Sequence, residues 1–128
     1  MAKATYKRGE IRTIKHKADG AAIAVDDVVL LIVDDAKSRV GVARQDIADG
    51  DTGIVAVSGV FEFEKASAND EIDAGFAVNI DSDGKVKPGS ASETNGVALC
   101  CLSMTDSADG DEYLDLDISD PGTGDVTL

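Results

Sequence analysis

"GIVAVSGVFEF", residues 53–63, alternates with the two-residue period of a β-strand. Val55, Val57, Gly59, Phe61 and Phe63 fall on one side; Ala56, Ser58, Glu62 and, just beyond, Glu64 fall on the other. Ile54 and Val60 break the polarity of the second side, so a face that bears them is a candidate subunit interface. The pattern predicts one long strand reaching Ala66, with Phe61 and Phe63 pointing inward. Gly59 marks a bulge or a close approach where that wall bends.

Turn signals flank this stretch and recur along the chain. "EIRTIKH" (10–16), "DDVVLLIV" (26–33), "RVGVARQ" (39–45), "FAVNI" (76–80), "GVALCCLSM" (96–104) and "YLDLDIS" (113–119) read as strands separated by Asp-Gly turns. Asp83-Gly84 makes a hairpin, and Pro88 ends its pairing. "SANDEIDAG" (67–75) admits one or two helical turns at most, with Ser67 or Asn69 as cap. The last strand puts Leu114, Leu116 and Ile118 on one face and Tyr113, Asp115 and Asp117 on the other. One wall is therefore expected to be wet outside and another covered on both faces. The fold class is all-β, a small β-barrel or β-sandwich with at most one short helix and an extended N-terminal arm. The arm covers residues 1–9, a single β-domain 10–119, and a C-terminal tail 120–128.

A repeat is visible inside this plan. "GVARQDIADGD" (41–51) and "GVALCCLSMTDSADGD" (96–111) both run from Gly-Val-Ala to Ala-Asp-Gly-Asp before an alternating strand. It reads as a degenerate hairpin repeat.

Composition narrows the function. Aromatic residues are 4 % of the 128 and Trp is absent, so Val, Ile, Leu and Ala must build the core, which disfavours an aromatic-lined catalytic pocket. The net charge of −13 argues against a nucleic-acid binder, because phosphate neutralisation needs Lys and Arg. Residues 1–20 nevertheless carry six Lys/Arg against two Asp/Glu, a charge of +4, while the rest carries −17. The start "MAKATYKRGEIR" lacks the apolar segment of a secretory signal, and Val28–Val33 is too short to span a bilayer, so a soluble, cytoplasmically made chain is expected. Cys100 and Cys101 are adjacent; on a strand they point to opposite faces, so a disulfide between them is not expected.

No catalytic, cofactor or metal residue is assigned. His16 stands alone between Lys15 and Lys17 and reads as a solvated strand residue. "NIDSDG" (79–84) imitates the start of a calcium loop, but its twelfth position is Ser90 where a bidentate Glu is needed, and Lys85 and Lys87 add the wrong charge. There is no G-x-x-x-x-G-K-[ST] loop for a nucleoside phosphate.

The ordered set of motifs resembles the phage capsid cement, or head decoration, proteins over nearly the whole chain. It comprises "YKRGEIRTI" after the arm, Gly41-Val42-Ala43, Gly59-Val60-Phe61-Glu62 with Lys65-Ala66, Gly75-Phe76-Ala77-Val78, Asp83-Gly84-Lys85-Val86, and Gly96-Val97-Ala98. "DDVVLLIVDDAKSR" is longer and more acidic than that pattern, and "ALCCLSM" replaces an Ala-rich strand. The resemblance implies a non-enzymatic virion protein on the capsid exterior, made in the bacterial host cytoplasm. Its partners would be the major capsid protein and itself, as a homotrimer or alternatively a homodimer, with no nucleic acid, membrane or cofactor. Lys3, Ala4, Thr5, Tyr6, Lys7 and Arg8 would form a capsid-binding arm that adds a strand to a capsid edge. The competing reading is a calcium- or carbohydrate-binding extracellular β-domain, which the acidity suits and the missing signal opposes.

Overall fold

The computed structural model describes residues 1–34, 37–75, 77–88 and 98–119. The C-terminal tail (120–128), Phe76, Ser90 and Gly96-Val97 lie outside them. Ten strands form: β1 (Ala4–Arg8), β2 (Thr13–Lys17), β3 (Val28–Asp34), β4 (Lys37–Ala43), β5 (Thr52–Ala56), β6 (Val60–Glu64), β7 (Ala77–Ile80), β8 (Val86–Pro88), β9 (Ala98–Ser103) and β10 (Tyr113–Asp117). They make a six-stranded sheet, β1-β6-β10-β9-β7-β8, and a four-stranded sheet, β2-β5-β4-β3. Every strand pair is antiparallel. Neither sheet closes on itself among the described residues, so the architecture is a β-sandwich. Residues 67–75 hold turns and an extended bridge with no helix.

The stretch at 53–63 is two strands, not one. β5 ends at Ala56 in the four-stranded sheet and β6 starts at Val60 in the other, so Val57–Gly59 carries the chain between sheets. Gly59 has φ +112, a left-handed backbone that a side chain opposes. A Cβ on Gly9 would lie 3.5 Å from the Cα of Gly59, so the two backbones pass closely. Val57 N–H donates to Arg12 O (2.8 Å), and Ser58 Oγ links Arg12 N (2.6 Å) to Glu10 O (2.8 Å). On the far side Ile118 N–H donates to Gly59 O (3.0 Å). Alternation runs through the crossover because the two flanking strands each have it; hydrophobic period alone does not mark a change of sheet.

Phe61 and Phe63 point inward with no exposed surface. They join Leu114, Leu116 and Ile118 against Val28, Val40, Val42 and Ala56 of the opposite sheet. A second cluster of Ala18, Val29, Ala43, Ile47 and Val55 lies on the outer face of the four-stranded sheet, under the segments around Ile23 and Ile47. That sheet is thus covered on both faces, and the β6–β10 wall is wet outside, as the two strand patterns predict.

The short repeat is part of a larger one. Strand order β2-β5-β4-β3 corresponds to β6-β10-β9-β7, with β1 and β8 added at the ends of the second set. The connecting turns correspond too: Ile23 bridges Ile47 in one half, and Ile72 bridges Ser107 in the other. Val25 N–H donates to Asp46 Oδ1 (2.9 Å) and Ala74 N–H to Asp106 Oδ1 (2.8 Å). Ala18 N–H reaches Asp51 O (2.9 Å) where Lys65 N–H reaches Glu112 O (2.8 Å). Residues 13–57 and 60–118 are two versions of one four-stranded unit, packed face to face.

One expectation fails in β9. Cys101 is buried and disulfide-bonded, with φ +62. It is the extra residue of a bulge, because Ala77 faces Leu102 and Val78 faces Cys100. The regular alternation from which the thiols were expected to point apart does not hold there.

Candidate functional site

Among the described residues no group of three or more His, Cys, Asp or Glu is placed to hold a metal ion. The acidic turns use their oxygens on their own backbone. Asp81 Oδ1 accepts from Asp83 N–H and Lys85 N–H, both at 2.9 Å, and Gly84 closes the hairpin with φ +82. Asp27 and Asp111 accept from Ala24 N–H and Ala108 N–H, three residues before them (2.9 and 3.0 Å). Such Asx contacts are what Asp-rich turns ordinarily do. Among the described residues no helix is long and apolar enough to cross a membrane.

The features with reach beyond the chain are two sheet edges and one sheet face. Residues 4–8, part of the segment read from the sequence as an N-terminal arm, form the edge strand β1 beside β6. Ala4 is fully buried, while Thr5–Arg8 are exposed. Tyr6 holds the strand from the side: its hydroxyl donates to Gly9 O (2.7 Å) and its ring meets Phe61 edge-on at 5.6 Å. The Arg44 guanidinium lies 5.8 Å from the Tyr6 ring centre and 5.9 Å from that of Phe61, within cation–π range. The strand's start is tied to both halves. Val28 N–H donates to Ala2 O (3.0 Å), Ala4 N–H to Asp26 O (2.9 Å), and Ala2 N–H to Asp83 O (2.9 Å).

The strand's cations face carboxylates of the same chain: Lys3 with Asp27 (2.8 Å), Lys7 with Glu62 (3.6 Å) and Arg8 with Asp115 (3.5 Å). Glu62 stands directly opposite Asp115 on the outer face, a like-charge cross-strand pair that is unfavourable alone. Lys7 and Arg8 offset it. Burial pushes the Asp27 carboxyl up, but the Lys3 hydrogen bond, Ala24 N–H and the Lys3 charge outweigh this and hold it below the usual carboxylate range.

The outer face of β6 and β10 carries Glu62, Glu64, Asp115 and Asp117, with Tyr113 52 % exposed. A hollow of about 460 Å³ opens there, lined by Thr5, Glu62, Glu64 and Tyr113 together with Met1–Lys3. The opposite character belongs to β2, the edge of the four-stranded sheet. Lys15 and Lys17 are exposed and make no ion pair among the described residues. Lys15 stands opposite Ile54, which is 41 % exposed. Val60, paired with Ile54 in the sequence reading, is only 7 % exposed and offers little to a partner. Sequence reasoning assigned the positive charge of residues 1–20 to the arm. Among the described residues Arg12, Lys15 and Lys17 make no ion pair, and the two lysines lie on β2, where the signal was the Lys-His-Lys run itself.

A family model described as phage cement protein matches residues 6–114, most of the chain. No curated protein matches it.

Proposed function

The chain belongs to the phage cement protein family, and from that premise we propose that it binds the outside of an icosahedral phage head and stabilises the shell. Its partners are the major capsid protein and further copies of itself, as a homotrimer, with a homodimer as the alternative. It is made in the host cytoplasm and ends on the virion exterior, and it performs no catalysis.

The observation that supports this reading is the open edge of β1. Beyond Ala4 this strand has β6 on one side and no strand on the other among the described residues. An extended segment of a capsid subunit can add there by main-chain hydrogen bonds, while Lys7 and Arg8 meet capsid carboxylates. β1 is already ordered by β6, by Tyr6 and by the Lys3–Asp27 pair, so docking does not carry the entropy of ordering a free arm. Many weak contacts on one head act together through multivalency.

Co-sedimentation with purified heads tests this. The wild-type chain is expected to saturate expanded heads and to raise their resistance to heat. Lys7→Gln/Arg8→Gln, which removes charge but keeps length, is expected to bind about tenfold more weakly at 0.15 M salt. Heads that pellet without the wild-type chain, at concentrations well above those in a lysate, would refute the proposal.

A further inference from the structure

We infer that the β2 edge of one copy seats on the acidic β6–β10 face of the next, so that copies associate head to tail. The inference deepens the self-association just proposed and rests on it. Like-sign charge argues against β2 pairing with another β2, because an antiparallel pair of "TIKHK" strands would place lysines beside lysines. The chain does, however, carry the complementary surface elsewhere.

Lys15 and Lys17 lie two residues apart on one face of β2, about 6.7 Å along the strand. Glu62 and Glu64 on β6 have that same spacing, and Asp115 and Asp117 repeat it on the adjacent strand. On the adjacent strand β5, directly opposite Lys15, Ile54 stands out as an apolar knob on the same face. Glu62 and Glu64 themselves line the hollow bordered by Tyr113, whose ring is half exposed. Two charge rows of equal pitch and an exposed Ile facing a hollow match one another in sign, spacing and shape. The acidic face also gains by the contact: Lys7, Arg8 and Lys85 pair with Glu62, Asp115 and Glu64 only at 3.5–3.9 Å, and Asp117 has no ion pair among the described residues. A contact between two different surfaces closes into a ring or runs on as a chain; it is not the isologous contact of a two-fold dimer.

Sedimentation equilibrium of the full chain decides the matter. The wild type is expected to associate to a multiple of 13.2 kDa. Lys15→Glu/Lys17→Glu and, separately, Glu62→Lys/Glu64→Lys are each expected to weaken association at least about tenfold. Mixing the two charge-swapped proteins is expected to restore association between unlike copies, because each supplies the other's complement, while a three-membered ring keeps one mismatched contact between like copies. Lys15→Ser/Lys17→Ser, with no new charge beside the strand, serves if circular dichroism shows a swapped variant unfolded. Association unchanged in both lysine variants would overturn this interface and leave the oligomer standing. A wild type that is monomeric at every concentration would overturn self-association itself.

Discussion

Lys65 occupies the place that Ala18 holds in the other half, and the exchange changes what stabilises each turn. Both residues are buried, and both donate their N–H to the residue just before a later strand, Asp51 O before β5 and Glu112 O before β10. The Lys65 ammonium, however, reaches Asp70 O (2.5 Å), Ala108 O (3.1 Å) and, more distantly, Ala68 O (3.4 Å). One cation thereby ties the 67–70 turn to the 107–110 turn. Burying an ammonium is costly unless it is hydrogen-bonded, and here its donors are met by carbonyl oxygens. Lys65→Ala removes two good charge-assisted bonds and leaves their acceptors dry, so about 3 kcal/mol of stability should be lost. A urea midpoint shift of that size at unchanged slope checks it. A variant as stable as wild type would mean that the Ala18 arrangement serves both halves equally. The sequence marks Lys65 only as one step of a motif, Lys65-Ala66. Its burial follows from a turn forty residues away and has no local signature.

At the level of elements, the N-terminal segment works as a clip. Residues 2–4 bond to the start of β3 in one half and to the β7–β8 hairpin in the other, with the Lys3–Asp27 pair at the centre. The Asp27 carboxyl titrates below its ordinary value, so its contribution is complete above the unfolded pKa, about 3.9. It is lost as the pH falls through the lower, folded pKa. Acid unfolding should therefore show Lys3→Met less stable than wild type near pH 6, with the gap closing as the pH falls below the ordinary carboxylate range. A gap that stays constant with pH would show that Lys3 acts through packing alone. The strands themselves were legible: β-branched runs, Asp-Gly turns and the inward Phe61 and Phe63 all follow from local pattern. The split at Val57–Gly59 was legible only as the bend at Gly59. The β2 and β1 edges were not separable, because a linear charge count cannot say which lysines a sheet brings to their own carboxylates. Lys7 and Arg8 found Glu62 and Asp115 through a pairing more than fifty residues apart in sequence.

On the scale of the whole molecule, the repeated four-stranded unit does not make two independent domains. A four-stranded sheet has two faces, and in both units the inner face is finished only by the other unit. Val28, Val40, Val42 and Ala56 have as their inner neighbours Phe61, Phe63, Val78, Ile80 and Leu116. The second unit adds a dependence of its own, since its edge strand β1 comes from the chain preceding the first. The two should unfold in a single step, because splitting them exposes the main core on both sides. Phe63→Ala makes the sharpest test. It lies wholly in the second unit, is fully buried, and should cost about 3–5 kcal/mol. If the core is shared, hydrogen exchange of β4 and β5 amides in the first unit should accelerate by the same free energy as that of β10. Retained protection in β4 and β5 with loss confined to β10 would show instead that the outer cluster of Ala18, Val29, Ala43, Ile47 and Val55 holds the first unit together alone. That cluster is small, and four of its five residues are alanine or valine, with no aromatic ring. The burden therefore falls on the shared core, and a sandwich with one cooperative core transmits a load at β1 or at β2 through the whole fold without yielding in parts.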